Sequence, residues 1–122
     1  MTLFRVLRLT VLCSLLAGLE PHLECAASTH DVVTQVETAL KEAAKDANHG
    51  HRDATERAIH DITYLVEQSW KAKERLQDVA RKEYATQARA LIVREARMGH
   101  FDIIKTGPVL KIIEELLAHQ EG

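Results

Sequence analysis

Gly50-His51-Arg52-Asp53 and, 49 residues later, Gly99-His100-Phe101-Asp102 share the pattern Gly-His-x-Asp. Each copy separates two stretches that have the apolar spacing of α-helices. A glycine after a helical stretch is typical of a helix C-terminus, because glycine readily adopts the left-handed backbone conformation found there. The repeat therefore predicts two helical hairpins, each with an imidazole and a carboxylate at its turn.

Residues 1–27 have the organisation of a cleaved secretory signal peptide. Arg5 and Arg8 precede the apolar run 9–19, which is about half of the roughly 20 residues that a membrane-spanning helix needs. The small residues Cys25-Ala26-Ala27 favour cleavage before Ser28. We therefore predict a periplasmic or secreted protein with no stable membrane anchor; an uncleaved anchor is the alternative.

The mature chain, residues 28–122, is long enough for a single domain with one hydrophobic core. Its sequence has no cysteine, because Cys13 and Cys25 fall within the predicted signal peptide. Disulfides are therefore not expected to stabilise it, and packing of apolar side chains has to do so.

Charge is balanced over the whole sequence but not along it. The formal net charge is -2, so no overall field attracts nucleic acid, which we do not expect as a partner. Residues 71–97 carry eight basic against four acidic side chains, and residues 28–70 carry four basic against eight acidic ones. Attraction between neighbouring helices explains this pattern. A surface that binds nucleic acid or anionic lipid is the alternative.

The first two predicted helices flank the first glycine turn. Apolar residues at three- and four-residue intervals predict a helix from about Asp31 to Asn48, with a cap supplied by Ser28, Thr29 or Asp31. The second helix is predicted to begin at Asp53, which forms with Glu56 the pattern of a capping box.

The boundary between the second and third helices is faint. The second helix continues to about Trp70 or beyond, and neither Gly nor Pro lies between Ser69 and Leu76. A short turn and one continuous helix are both compatible with this stretch. The third helix is predicted to end at Gly99. Its predicted apolar positions are Val79, Ala80, Tyr84, Ala88, Leu91, Ile92 and Ala96.

The fourth helix is the most apolar and is interrupted by Gly107-Pro108. Because proline fits best in the first turn of a helix, this helix is either kinked at 106–107 or split into a turn over 101–106 and a main helix over 108–119. Its apolar positions are Ile103, Ile104, Val109, Ile112, Ile113, Leu116 and Leu117. Four amphipathic helices with short connections predict an all-α, antiparallel up-down-up-down four-helix bundle.

In such a bundle the first and third turns lie at the same end, which gathers the imidazoles and carboxylates of both repeats. These are ligands that copper(II), nickel(II) and zinc use at exposed sites. The alternative for each histidine is a solvated ring or a hydrogen bond to a carbonyl at a helix end. The candidate metal ligands are His49, His51, His100, Asp53, Asp102 and, four residues after Glu56, His60.

Other chemistry has no visible signature. The sequence contains no Cys-x-x-Cys-His haem motif, no glycine-rich phosphate loop and no Gly-x-Ser-x-Gly nucleophile, so we do not expect an enzyme. Noncovalent haem would depend on His30 and His119, and the sequence has few aromatic residues to line a pocket.

The signal peptide, the alanine-rich helices and the turns Gly50-His51 with Asp53 and Gly99-His100 resemble the small metal-binding protein family. Its members are exported, histidine-rich four-helix bundles thought to bind or buffer divalent metals such as copper. This chain departs from them because its helices carry few histidines, chiefly His60 and His119. The resemblance implies the fold more strongly than the capacity for metal.

A rival interpretation is a structural or interaction protein, such as an adaptor or a stress-related partner, with no role in metal binding. The apolar surface of the fourth helix or the basic third helix would then contact another protein. If the apolar side chains of the fourth helix are not all buried in one bundle, a homodimer through that helix is also expected.

Overall fold

A computed structural model describes residues 28–45, 47 and 51–118. The predicted signal peptide, His49 and Gly50 lie outside these residues. Four α-helices and one short 3₁₀ turn are present, and none of the described residues forms a strand. The prediction of an all-α four-helix bundle is therefore confirmed. The elements are α1 (Thr29–Lys45), α2 (Arg52–Glu74), α3 (Asp78–Arg97), the 3₁₀ turn (Ile103–Thr106) and α4 (Gly107–Ala118).

Within this described part, every helix is too short or too polar to cross a bilayer. The first of them, α1, begins two residues earlier than the apolar spacing predicts, because Ser28 and Asp31 cap it reciprocally. The backbone N–H of Asp31 donates to Ser28 Oγ at 3.2 Å, and the N–H of Ser28 donates to Asp31 Oδ2 at 3.1 Å. Both bonds satisfy backbone donors that a helix start otherwise leaves free.

The start of α2 differs from the predicted capping box. His51 occupies the N-cap position and its side chain makes no capping hydrogen bond, while Asp53 lies inside the first turn of the helix. The prediction of Asp53 as the cap was therefore wrong by two residues. A carboxylate in this first turn still interacts favourably with the positive end of the helix dipole.

A short turn separates α2 from α3, so the alternative of one continuous helix is wrong. Leu76 adopts a left-handed conformation with φ 59°. Its N–H donates to Lys73 O at 3.1 Å, and the N–H of Gln77 donates to Ala72 O at 2.8 Å. These two bonds form a Schellman motif, which normally has glycine where Leu76 stands.

The same motif ends α3, this time at a glycine. Gly99 has φ 83° and donates its N–H to Ala96 O at 3.0 Å. The N–H of His100 donates to Glu95 O at 3.0 Å. The predicted end of the third helix at Gly99 is confirmed, and the reversal places His100 directly after the helix.

The last segment is split rather than kinked. Asp102 Oδ1 accepts a hydrogen bond from the N–H of Ile104 at 3.1 Å and so caps the 3₁₀ turn, after which α4 begins at Gly107. Ile103 and Ile104, two of the apolar positions of this segment, are 47% and 83% exposed and lie outside the core. The helical spacing of α4 does not extend through a turn that has its own cap.

Contacts at the end of the bundle that lies away from Gly99 and His100 connect helices that are neighbours in the chain. Thr29 Oγ1 in the first turn of α1 donates to Glu74 Oε1 at the end of α2, at 3.2 Å. Arg81 in the first turn of α3 donates from Nη1 to the carbonyl of Leu116, near the end of α4. Both contacts are those expected when successive helices alternate in direction.

The buried face of α3 is rotated from the predicted one. Its buried positions follow the four-three spacing of a helical seam, which begins and ends with a charged residue. Val79, predicted in the core, is 77% exposed. The buried residues of α3 are Arg81, Ala85, Ala88, Ile92 and Glu95.

Arg81 is fully buried, although its charge suggested the basic surface of the third helix. Its Nη2 pairs with Asp78, its Nη1 bonds the carbonyl of Leu116, and its own carbonyl accepts a 2.8 Å hydrogen bond from Ser69 Oγ. The guanidinium lies beside the last turn of α4, where the helix dipole favours a cation. Arg81 therefore connects α2, α3 and α4.

Candidate metal site at the histidine pair

The start of α2 at His51 and the turn after α3 meet at one end of the bundle. The rings of His51 and His100 lie with their centroids 5.1 Å apart and their planes tilted by 40°. A backbone hydrogen bond of 2.9 Å from Asp102 N–H to Ala43 O fixes the segment after His100 against the end of α1. We call His51 and His100 the histidine pair.

The two members of the pair differ in position and environment. His51 is the exposed N-cap of α2, whereas His100 follows the glycine turn of α3 and is only 2% exposed. The two Gly-His-x-Asp segments are therefore not equivalent in structure, even though their imidazoles are brought together.

A buried carboxylate holds His100 from behind. Glu95 is 5% exposed, and its Oε1 lies 2.5 Å from His100 Nδ1. Its other oxygen accepts a 3.0 Å hydrogen bond from Arg94 Nη2. Burial acts to raise the pKa of Glu95, but the hydrogen bonds from His100 and Arg94 and their charges outweigh it and hold this pKa below its ordinary value.

This contact determines which nitrogen of His100 can bind a ligand. An ionised carboxylate only accepts hydrogen bonds, so the nitrogen facing Glu95 has to carry a proton. In a neutral imidazole the lone pair is then on Nε2. A histidine that binds metal characteristically donates its other ring N–H to a carboxylate, a carbonyl or water.

The spacing of the histidine pair suits one shared ion. Two imidazoles that each bind an ion through a nitrogen at about 2.0–2.1 Å have ring centres roughly 4.5–5.5 Å apart. The 5.1 Å between His51 and His100 lies in that range. His100 also lines a cavity of about 180 Å³ between α2 and α3, together with Arg57, Arg94 and Glu95.

Carboxylates of the two repeats lie at the same end but have different environments. Asp102 caps the 3₁₀ turn through Oδ1, so one of its oxygens already has a partner. Asp53 is exposed in the first turn of α2, two residues after His51. His49 lies outside the described residues.

His60 is separate from the histidine pair. It lies nine residues after His51 on α2, about 13 Å along the helix axis. Its side chain is 82% exposed and its Nδ1 is 3.5 Å from Asp61 Oδ1. It lines a groove of about 460 Å³ between α1 and α2 together with Glu37 and Glu56. The structure thus brings His51 and His100 together and leaves His60 on another face.

Sequence reasoning missed Glu95 as part of the site. The sequence places Glu95 five residues before His100, but the burial of its carboxylate and the contact with the His100 ring depend on how the side chains pack. Over residues 28–45, 47 and 51–118, however, no group of three or more His, Cys, Asp or Glu side chains is placed to hold a metal ion. No protein-family model, curated protein or solved structure matches this chain.

Proposed function

We propose that this is an exported, non-catalytic protein that binds a divalent transition metal ion, copper, nickel or zinc, at the histidine pair. The observation that carries the proposal is the 5.1 Å separation of the His51 and His100 rings, which come from segments 49 residues apart. His49 and Asp53, two residues on either side of His51, supply the further predicted ligands.

The proposed binding is weak because few of its ligands are fixed in place. His100 is held by Glu95, but His51 is exposed and makes no capping bond that would hold its ring. Ordering such a side chain on binding costs about 0.5–1.5 kcal/mol, which lowers the affinity. A site of this kind suits buffering or transient carriage of an exchangeable ion.

Calorimetric titration with copper, nickel and zinc tests the proposal. Cys13 and Cys25 are potential thiolate ligands, so the parent and every variant in these experiments carry serine at both positions. We expect the His51→Ala/His100→Ala variant to bind at least tenfold more weakly than its parent, and the matched His60→Ala control to bind within about twofold. Equal binding by the parent and the double variant would contradict the proposal.

Binding is also expected to weaken in acid, since a ring nitrogen has to lose its proton before it binds metal. The affinity should therefore be lower at pH ~5.5 than at pH ~7.5. Titrations at those two pH values measure this change. A pH-independent affinity would point to ligands other than histidine.

A second candidate function is contact with another protein or a second copy of the chain. It is favoured by apolar side chains outside the core: Ile104 is 83% exposed, and Leu110, Ile112 and Leu117 of α4 are only partly buried. Light scattering at rising protein concentration tests the homodimer; a constant monomer mass would contradict it.

A further inference from the structure

Glu95 is connected to His100 through both its main chain and its side chain. Its carbonyl accepts the N–H of His100 at 3.0 Å in the Schellman turn, and its Oε1 lies 2.5 Å from His100 Nδ1. Two connections between the same residues fix both the path of the turn and the orientation of the ring.

The position of Glu95 is unfavourable for a carboxylate in two respects. It is buried, and it lies in the last turn of α3, where the helix dipole disfavours a negative charge. The neighbouring seam positions of α3 are filled by apolar residues such as Ala88 and Ile92. An apolar residue at 95 would complete this seam without the cost of burying a charge.

His100 and Arg94 offset this cost through hydrogen bonds to the two carboxylate oxygens. Arg94 is 66% exposed, so its contact is open to solvent, and the buried contact is the one with His100. The contact between Glu95 and His100 therefore fixes which ring nitrogen of His100 carries the proton. Packing of the core alone does not require the cost of this buried charge.

We propose that Glu95 is a positioning residue for the metal site. Its carboxylate holds the proton of His100 on Nδ1 and keeps the ring in one orientation, so that Nε2 is the nitrogen offered to the ion beside His51. This inference rests on the proposed function. The affinity for metal then depends on a residue that does not itself touch the ion.

Two substitutions at position 95 test the role, with a control on the same helix. Glu95→Leu removes the acceptor, and Glu95→Gln keeps an acceptor oxygen but loses the charge. The exposed Glu83 of α3 serves as the matched control, because Glu83→Gln removes the same charge away from the pair. All variants carry serine at Cys13 and Cys25.

The first measurement is the nitrogen NMR spectrum of the His100 ring in the metal-free protein, at a pH where the ring is neutral. We expect the proton on Nδ1 in the parent and in Glu83→Gln, and loss of this fixed preference in Glu95→Leu. A proton on Nε2 in the parent would overturn the proposal. A merely structural role of Glu95 would leave the tautomer unchanged in Glu95→Leu.

The second measurement is the affinity for zinc and nickel. We expect Glu95→Leu to bind roughly 10–100-fold more weakly, Glu95→Gln to lie between it and the parent, and Glu83→Gln to match the parent. Should Glu95→Leu fail to fold, as judged by circular dichroism, a parent-like affinity of Glu95→Gln would overturn the proposal and a weaker one would support it.

The two measurements separate failure of this inference from failure of the proposed function. If the parent binds zinc and nickel and a folded Glu95→Leu binds them equally well, only the positioning role is overturned. If the parent binds no copper, nickel or zinc while its His100 proton is still on Nδ1, the proposed function is overturned and the positioning role with it.

Discussion

Replacing Gly99 by alanine isolates the conformational cost of the turn that presents His100. Gly99 has φ 83°, a conformation that side chains with a Cβ rarely adopt. A Cβ built on Gly99 meets nothing within 4 Å. Any change in stability therefore comes from the backbone and not from a steric clash with a neighbour.

The magnitude follows from two opposing terms. A non-glycine residue in the left-handed region costs roughly 1–2 kcal/mol. Alanine returns roughly 0.4–1 kcal/mol, because it has fewer conformations than glycine in the unfolded chain. We expect a net loss of about 1 kcal/mol, which lowers the melting temperature of a domain of this size by roughly 4–8 °C.

Leu76→Gly is the converse experiment, because Leu76 occupies the same position of the Schellman turn that ends α2. Leu76 is 72% exposed, so its removal loses little packing. Relief of the left-handed strain should outweigh the lost contacts and added chain entropy, and we expect stabilisation of about 0.5 kcal/mol.

Urea unfolding followed by circular dichroism measures both variants against the parent. The two variants should change stability in opposite directions, with a lower free energy of unfolding for Gly99→Ala and a higher one for Leu76→Gly. An unchanged or more stable Gly99→Ala would refute the left-handed turn after α3.

Three further predictions concern buried charge and exposed apolar surface. Arg81→Ala should destabilise the fold by about 3 kcal/mol in urea unfolding, because it leaves a cavity and removes the hydrogen-bond partner of the Leu116 carbonyl. Lys82→Ala, at the exposed neighbouring position, should change the free energy of unfolding by less than about 0.5 kcal/mol. Glu95 has a pKa lowered from its ordinary value of about 4.5 in the folded protein, so its stabilising contribution is full above that pH and is lost as the pH falls through the folded pKa. Urea unfolding between pH ~6 and ~3 should therefore show a smaller loss of stability for Glu95→Gln than for the parent. Equal losses in the two proteins would contradict a stabilising contribution from the ionised Glu95 carboxylate. Ile104→Ser should leave the melting temperature within about 2 °C of the parent, because the side chain is 83% exposed; a larger drop would mean that Ile104 is buried in solution.

The number and type of helices could be predicted because apolar residues recur at helical intervals and glycine or capping residues mark most ends. Ser28 and Gly99 carried such signals: Ser28 caps the start of α1, and Gly99 lies in the turn that ends α3. The turn at Leu76 carried none, since a leucine stands where glycine is usual. A non-glycine residue that takes the left-handed conformation against its own preference cannot be identified from local sequence preference.

The buried face of α3 could not be predicted because its two ends are charged. Arg81 and Glu95 occupy core positions: Arg81 is paired with Asp78 and with the distant carbonyl of Leu116, and Glu95 is paired with His100, which follows it closely in sequence. Apolar residues such as Val79 then define a more convincing but incorrect stripe. The approach of His51 and His100 followed from the predicted topology, whereas the contact with Glu95 depends on side-chain geometry that no spacing rule supplies.

Zinc titration followed by the ring signals of the histidines tests whether His51 and His100 bind one ion together. If one ion is shared by the histidine pair, the signals of His51 and His100 should change together and reach their end points at the same ratio of zinc to protein. The signals of His30 and His60 should stay unchanged until zinc is in excess. Independent changes at His51 and His100, or changes only at other histidines, would contradict a shared site.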